Sequence, residues 1–101
     1  MSDNNGTKDT DQIFMEELKL EFMDTVDANL KEMSQLYQEN KFEDIARIAH
    51  DIKGTSGIFG LDEGTEIAKL LQYASQDKKA GEIKELLEKL TVYMRKNEII
   101  K

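Results

Sequence analysis

A chain of 101 residues with 39% hydrophobic content has room for one small core, and the absence of Pro, the few Gly and the abundance of Leu, Ile, Glu, Lys, Ala and Met favour helix over strand. The 14 basic and 21 acidic residues leave a net charge of -7, which repels polyanions and argues against nucleic acid and membrane surfaces as partners. With no Cys, disulfides, thiolate metal sites and cysteine nucleophiles are excluded, and a reducing, cytoplasmic setting is expected.

The opening MSDNNGTKDTDQ has no basic segment followed by an apolar run, so it does not read as a secretory leader. No run of roughly 18 apolar residues suggests a membrane span. Residues 1–10 are polar and aperiodic and are expected to form a mobile tail, with residues 11–101 as the folded domain. From Asp11, a three- and four-residue recurrence through Met15, Leu18, Phe22, Val26, Asn29, Met33 and Leu36 or Tyr37 describes one long amphipathic helix. Ile13 and Phe14 fall partly off this seam and could form a short extra N-terminal segment.

Asn40 suits a left-handed stop, and Phe42 precedes a second helix whose first turn holds Glu43 and Asp44, as the positive dipole end favours. That helix runs to about Gly60, a natural terminator. Asp62 can cap a third helix with an apolar face of Ile67, Ala68, Leu70, Leu71 and Ala74, and the polar break SQDKKAG follows. A fourth helix carries Ile83, Leu86, Leu87, Leu90 and Tyr93 or Met94 and ends in Arg95 and Lys96. Four such stripes joined by short links bury themselves only against one another, so the expected fold is all-α, an antiparallel up-down four-helix bundle.

His50 is the one histidine. At about 100° per residue, Ile45, Ile48, Ile52 and Phe59 lie within roughly 40° of the direction opposite to it, with Ala49 and Ser56 flanking that stripe. His50 therefore belongs to the outer face, where an ordinary surface histidine is the plain alternative. Ala46, Lys53, Gly54 and Gly57 share that face, within about 60° of His50. A Gly inside a helix costs about 1 kcal/mol relative to Ala, so two of them on a solvent face suggest a surface cleared for the close approach of another macromolecule. Lys53, one turn on, could offset the charge of an anion formed at the imidazole or could simply pair with an acid.

Metal binding would need a second ligand one turn away, but the neighbours at those spacings are Ala46, Arg47, Lys53 and Gly54. No serine nucleophile or carboxylate orienter accompanies the histidine in a hydrolytic order. Nor is there a nucleotide loop, so phosphorylation directly from ATP is not expected.

The stretch Phe42 to Gly60, FEDIARIAHDIKGTSGIFG, resembles the signature of histidine-containing phosphotransfer (HPt) domains, with Ala49 and His50 as the pair, Lys53 and Gly54 after it and Gly60 closing it. The resemblance extends to Gln72, where these domains often have a Gln that bonds the other imidazole nitrogen. It implies that His50 accepts and donates a phosphoryl group in exchange with the aspartate of response-regulator receiver domains, including those of hybrid histidine kinases. It implies too that the receiver supplies Mg²⁺ and the acidic pocket, leaving no metal or cofactor to this chain.

Ile13, Phe14 and Leu18 could extend the docking patch or be buried in the bundle. A monomer is expected. Met1 and the polar tail suit a free-standing module, with a segment of a larger hybrid kinase as the alternative. A purely structural adaptor that binds receivers without carrying phosphate is a competing reading. So is the dimerisation and phosphoacceptor part of a sensor kinase, a family that usually follows its His with an acidic residue, as Asp51 does here, and later with a Pro, of which this chain has none.

Overall fold

The computed structural model describes residues 2–101, with side chains from residue 10 onward. Four helices occupy the chain: α1 (Ser2–Gln38), α2 (Phe42–Ile58), α3 (Asp62–Gln76) and α4 (Ala80–Lys96). Contacts run from α1 to α2, α2 to α3, α3 to α4 and α4 back to α1, so the helices form a closed ring of antiparallel neighbours around one core.

The three links between helices are built alike. Each helix ends with one residue in the left-handed region: Asn40 (φ 59°), Gly60 (φ 70°), Lys78 (φ 57°) and, after α4, Glu98 (φ 60°). The amide of the residue after it reaches back five positions, giving Lys41 N–H to Leu36 O (2.9 Å), Leu61 to Ser56 (3.0 Å), Lys79 to Ala74 (3.0 Å) and Ile99 to Met94 (2.8 Å). This is the Schellman closure, which satisfies carbonyls that would otherwise lack partners at the helix end. In the three links, the residue that closes one helix also begins the next: the carbonyls of Lys41, Leu61 and Lys79 accept from Ile45, Thr65 and Ile83. Links this short force each helix to turn back on its predecessor.

The starts of α2, α3 and α4 have no side-chain cap, and Asp62 is the first residue of α3, not its cap, because Leu61 takes that position with a half-buried side chain. Asp62 and Glu63 instead place their charge in the first turn, as Glu43 and Asp44 do in α2.

The core is the expected inner stripe with some substitutions. Val26 and Met33 of α1, Ile45, Ala49 and Ile52 of α2, Ala68 and Leu71 of α3, and Ile83, Leu90 and Met94 of α4 are essentially inaccessible. Leu30 is buried where the pattern had placed Asn29, which is half-buried. Leu70, expected in the core, is exposed. Ile99 lies beyond α4, so helical periodicity gave no sign of it, yet the Schellman closure folds it onto the core. Burial of a side chain this size contributes about 1.5–3 kcal/mol. Phe22 stacks on Phe59 with centroids 4.9 Å apart at one end of the α1–α2 seam, and Tyr37 meets Phe42 at 6.0 Å at the other.

Helix α1 is longer than its partners. Its 37 residues make roughly 55 Å of helix, matching the 56 Å long axis of the molecule, whereas α2 and α4 have 17 residues each. The helix was expected to begin near Asp11 but runs from Ser2. The expected mobile tail at 1–10 lies outside the residues with described side chains, apart from Thr10. Ile13 and Phe14 belong to the continuous α1 and form no separate segment. Among the described side chains, burial starts at Phe22; Met15 continues the apolar seam but lies at the edge of the bundle beside Phe59 and is exposed.

A lysine in the left-handed region carries steric strain that glycine does not. Lys78→Gly is expected to raise unfolding stability by about 1 kcal/mol, a gain of roughly 4–8 °C in Tm for a domain of this size. Gly60→Ala is expected to shift it downward by a similar amount. Thermal melts followed by circular dichroism read both shifts, and an unchanged melt for Lys78→Gly would show that this closure carries no such strain.

Candidate functional site

His50 projects from the middle of α2 and is exposed. It lies on one wall of a shallow groove between α2 and α3, with Arg47 and Asp51 beside it on α2 and Gln72 and Gln76 on the facing helix. These two helices make the most extensive contact in the bundle, and beside larger core residues each buries several small ones: Ala46, Ala49 and Ser56 on α2 and Ala68, Ala74 and Ser75 on α3. Small side chains let the helix axes come close, which brings Gln72 into the groove of His50.

The expectation that Ala46 shares the exposed face needs correction. It is 7% exposed and forms part of the groove floor. The reason is that α2 packs on both α1 and α3, so its buried arc is wider than a stripe centred opposite His50. Lys53, on the same flank, is half-buried, and its ammonium enters no ion pair among the described residues. The pairing with a neighbouring acid that a surface lysine usually finds is therefore not made. Arg47, by contrast, is tied to Asp44 one turn back.

Gly54 and Gly57 are both exposed within α2. A Cβ built on Gly54 would meet nothing within 4 Å, and one on Gly57 would meet only Thr65 Oγ1, at an ordinary 3.9 Å. Packing therefore does not explain them. Two other glycines have structural reasons: Gly60 sits at φ 70°, and a Cβ on Gly64 would come within 2.7 Å of the Tyr93 ring. Gly54 and Gly57 weaken the helix by about 1 kcal/mol each, and what they provide is a bare surface along the helix just beyond His50.

Gln72 is half-buried, and its Oε1 is buried without a hydrogen-bond partner. No hydrogen bond joins it to His50, although the two side chains share the groove. A buried acceptor left unpaired costs about 1–3 kcal/mol, so an N–H donor presented in this groove would be stabilised. Gln76, one turn further along α3, lines the same groove. The sequence reading passed over it, although its spacing of four from Gln72 puts it on the same face.

Ile13 and Phe14 are 55% and 62% exposed on the projecting part of α1 and do not line the groove of His50. Phe59, which stacks on Phe22 at the end of α2, is already roughly 13 Å along the helix from His50, and Ile13 and Phe14 lie about 12 Å further out along α1, past Met15 and Lys19. Ile58, 63% exposed at that same end, is a further apolar surface residue the pattern did not single out; its place next to the terminating Gly60 was the available signal.

Among the described residues no three His, Asp or Glu side chains converge as a metal site, and no helix is long and apolar enough to cross a membrane. The groove thus brings together one exposed imidazole, Ala46 and an unpaired amide oxygen opposite, whereas Lys53, Gly54 and Gly57 lie further along the same helix face and do not line it.

Comparisons with curated proteins and with solved structures gave no match. The Hpt domain family model matches residues 17–94, which takes in all of α2 and α3 and most of α1 and α4. The match begins after Ile13 and Phe14, so it covers the groove but not the far end of α1. With most of its length matched and a four-helix bundle presenting His50, the chain belongs to the Hpt domain family, the histidine phosphotransfer modules of phosphorelay signalling.

Proposed function

We propose that His50 is the phosphoryl acceptor and that it exchanges the group with the aspartate of response-regulator receiver domains, those of hybrid histidine kinases among them. The observation that carries this reading is the pair of glycines beside an exposed histidine, which the bundle itself does not require. They admit a partner's pocket to within bonding distance of the imidazole.

In the forward step the lone pair on Nε2 attacks phosphorus, the bond from phosphorus to the aspartyl oxygen breaks, and the carboxylate leaves on the receiver. An N–P bond forms, and the proton on Nδ1 stays where it is. For Nε2 to be the nucleophile the imidazole must carry its proton on Nδ1, and the unpaired Gln72 Oε1 is the acceptor that would hold this tautomer. Lys53 would lie near the new phosphoryl oxygens and offset their charge in a chain of net charge -7. The return step reverses each bond change.

Phosphoryl transfer depends mainly on positioning and charge stabilisation. In this reading the receiver contributes Mg²⁺ and its acidic pocket, and the present chain contributes the nucleophile, its orientation and a flat approach. It acts as a monomeric carrier in the cytoplasm, not as an enzyme with turnover of its own. Ala46 on the groove floor, with Gly54 and Gly57, forms the near part of the docking surface, and Ile13 and Phe14 its apolar extension.

Incubation with a phosphorylated receiver is expected to move label to this chain as an acid-labile, base-stable adduct, and His50→Ala is expected to abolish it. Label persisting on that variant would sink the assignment, while receiver binding with no label on the native chain would favour an adaptor. For Gly54→Leu, urea unfolding should show stability raised by about 1 kcal/mol, while titration should show receiver affinity reduced roughly tenfold or more. Native affinity would mean that the bare surface is not a contact. Lys53→Ala is expected to slow transfer about two- to fivefold, the effect of an interaction worth up to about 1 kcal/mol at a partly solvated site. Stopped-flow rates equal to those of the native chain would return Lys53 to the role of a solvated charge.

A further inference from the structure

The ring of four helices leaves a second groove, between α3 and α4, on the far flank of α3 from Gln72. Leu70, Tyr73 and Val92 are exposed along it at 43%, 48% and 56%, with Leu86 half-buried between the helices and Ala74 beneath. Two neighbouring helices thus present an apolar strip, and among the described residues no other element lines it. Its rim is acidic. Lys79 is paired with Glu82 at 3.7 Å, which leaves Asp77, Glu85 and Glu88 against Lys89 among the charged residues lining the groove.

We propose that this groove is a second docking site, filled by a basic amphipathic helix of a partner protein. An apolar strip between two helices accepts the apolar face of a third, with anchors spaced three and four residues apart. The excess of acid on the rim selects Lys or Arg on the flanks of that helix, and the net charge of -7 steers such a segment toward the chain. The same rim disfavours other occupants. A second copy pairing through this face in a two-fold arrangement would set acid against acid, and an anionic lipid surface would be repelled. Because α3 stands between the two grooves, a helix seated here leaves the imidazole of His50 uncovered. The proposal does not depend on the role assigned to His50.

A synthetic helical peptide of about 18 residues, with Leu at i, i+3, i+4 and i+7 and Lys elsewhere, serves as the probe, beside a control with Glu in place of every Lys. Titrated into the ¹⁵N-labelled full chain, the Lys peptide is expected to shift the amides of Leu70, Tyr73 and Val92 and to leave the imidazole resonances of His50 in place. The Glu peptide is expected to bind at least roughly tenfold more weakly. The double variant Glu85→Lys, Glu88→Lys, at two exposed positions whose helicity circular dichroism verifies, should lose a similar factor. Shifts centred on α1 or α2, equal affinity for the two peptides, or undiminished binding by the double variant would overturn the proposal. So would a dimer in light scattering that Val92→Glu converts to monomer, which would assign the groove to self-association.

Discussion

The arrangement of the site depends on how the helices end. Each of the four closes with a left-handed residue and an amide that reaches back five positions, and in the links the closing residue also caps the start of the next helix. No slack is left between helices. The link through Phe59, Gly60 and Leu61 matters most, because it sets the position of α3 along α2 and so decides which α3 side chain meets His50. A left-handed residue at position 60 costs glycine almost nothing and another residue about 1–2 kcal/mol. Gly60 thus acts on the site through geometry, although its own backbone lies away from the imidazole.

Within that frame, the stability of the bundle and the character of the groove pull in different directions. The core residues are almost wholly inaccessible, and the small buried side chains of α2 and α3 favour a close approach of the two helices. On the outer side of α2, two glycines that nothing nearby requires forgo helix propensity and the Lys53 ammonium enters no ion pair among the described residues, while on the facing α3 the buried Oε1 of Gln72 is left without a partner. The hydroxyls of Ser56 and Ser75 are also buried without partners, so the glycines, which no neighbour requires, are the departure that most specifically marks a surface shaped for a partner. The stretch matched by the Hpt domain family model contains these residues.

Much of this was legible in the sequence. The four helices, their order, the outward direction of His50 and the inner positions Val26, Ile45, Ile52, Leu71 and Leu90 follow from helical periodicity, because each helix buries a stripe. What periodicity could not supply was the influence of neighbouring helices. Ala46 reads as outward on an isolated wheel but is covered because α3 packs close to that flank. Leu70 reads as core but faces the open side of the ring. Met15 continues the apolar seam of α1 at the edge of the bundle beside Phe59, so the pattern persists while the burial does not. Ile99 lies outside every helix and is placed by a backbone hydrogen bond that has no side-chain signature. The pairing of His50 and Gln72 in one groove came from the family pattern; spacing along the chain alone does not bring α2 and α3 into register.

The central claim is that phosphate resides on Nε2 of His50 and not merely somewhere on the chain. The chain should be prepared with ¹⁵N in the imidazole, loaded by a phosphorylated receiver and followed by ³¹P NMR. The account predicts a single phosphoramidate resonance with a one-bond coupling to Nε2, while Nδ1 keeps its proton. Coupling to Nδ1, or a phosphorus signal with no nitrogen coupling, would contradict it.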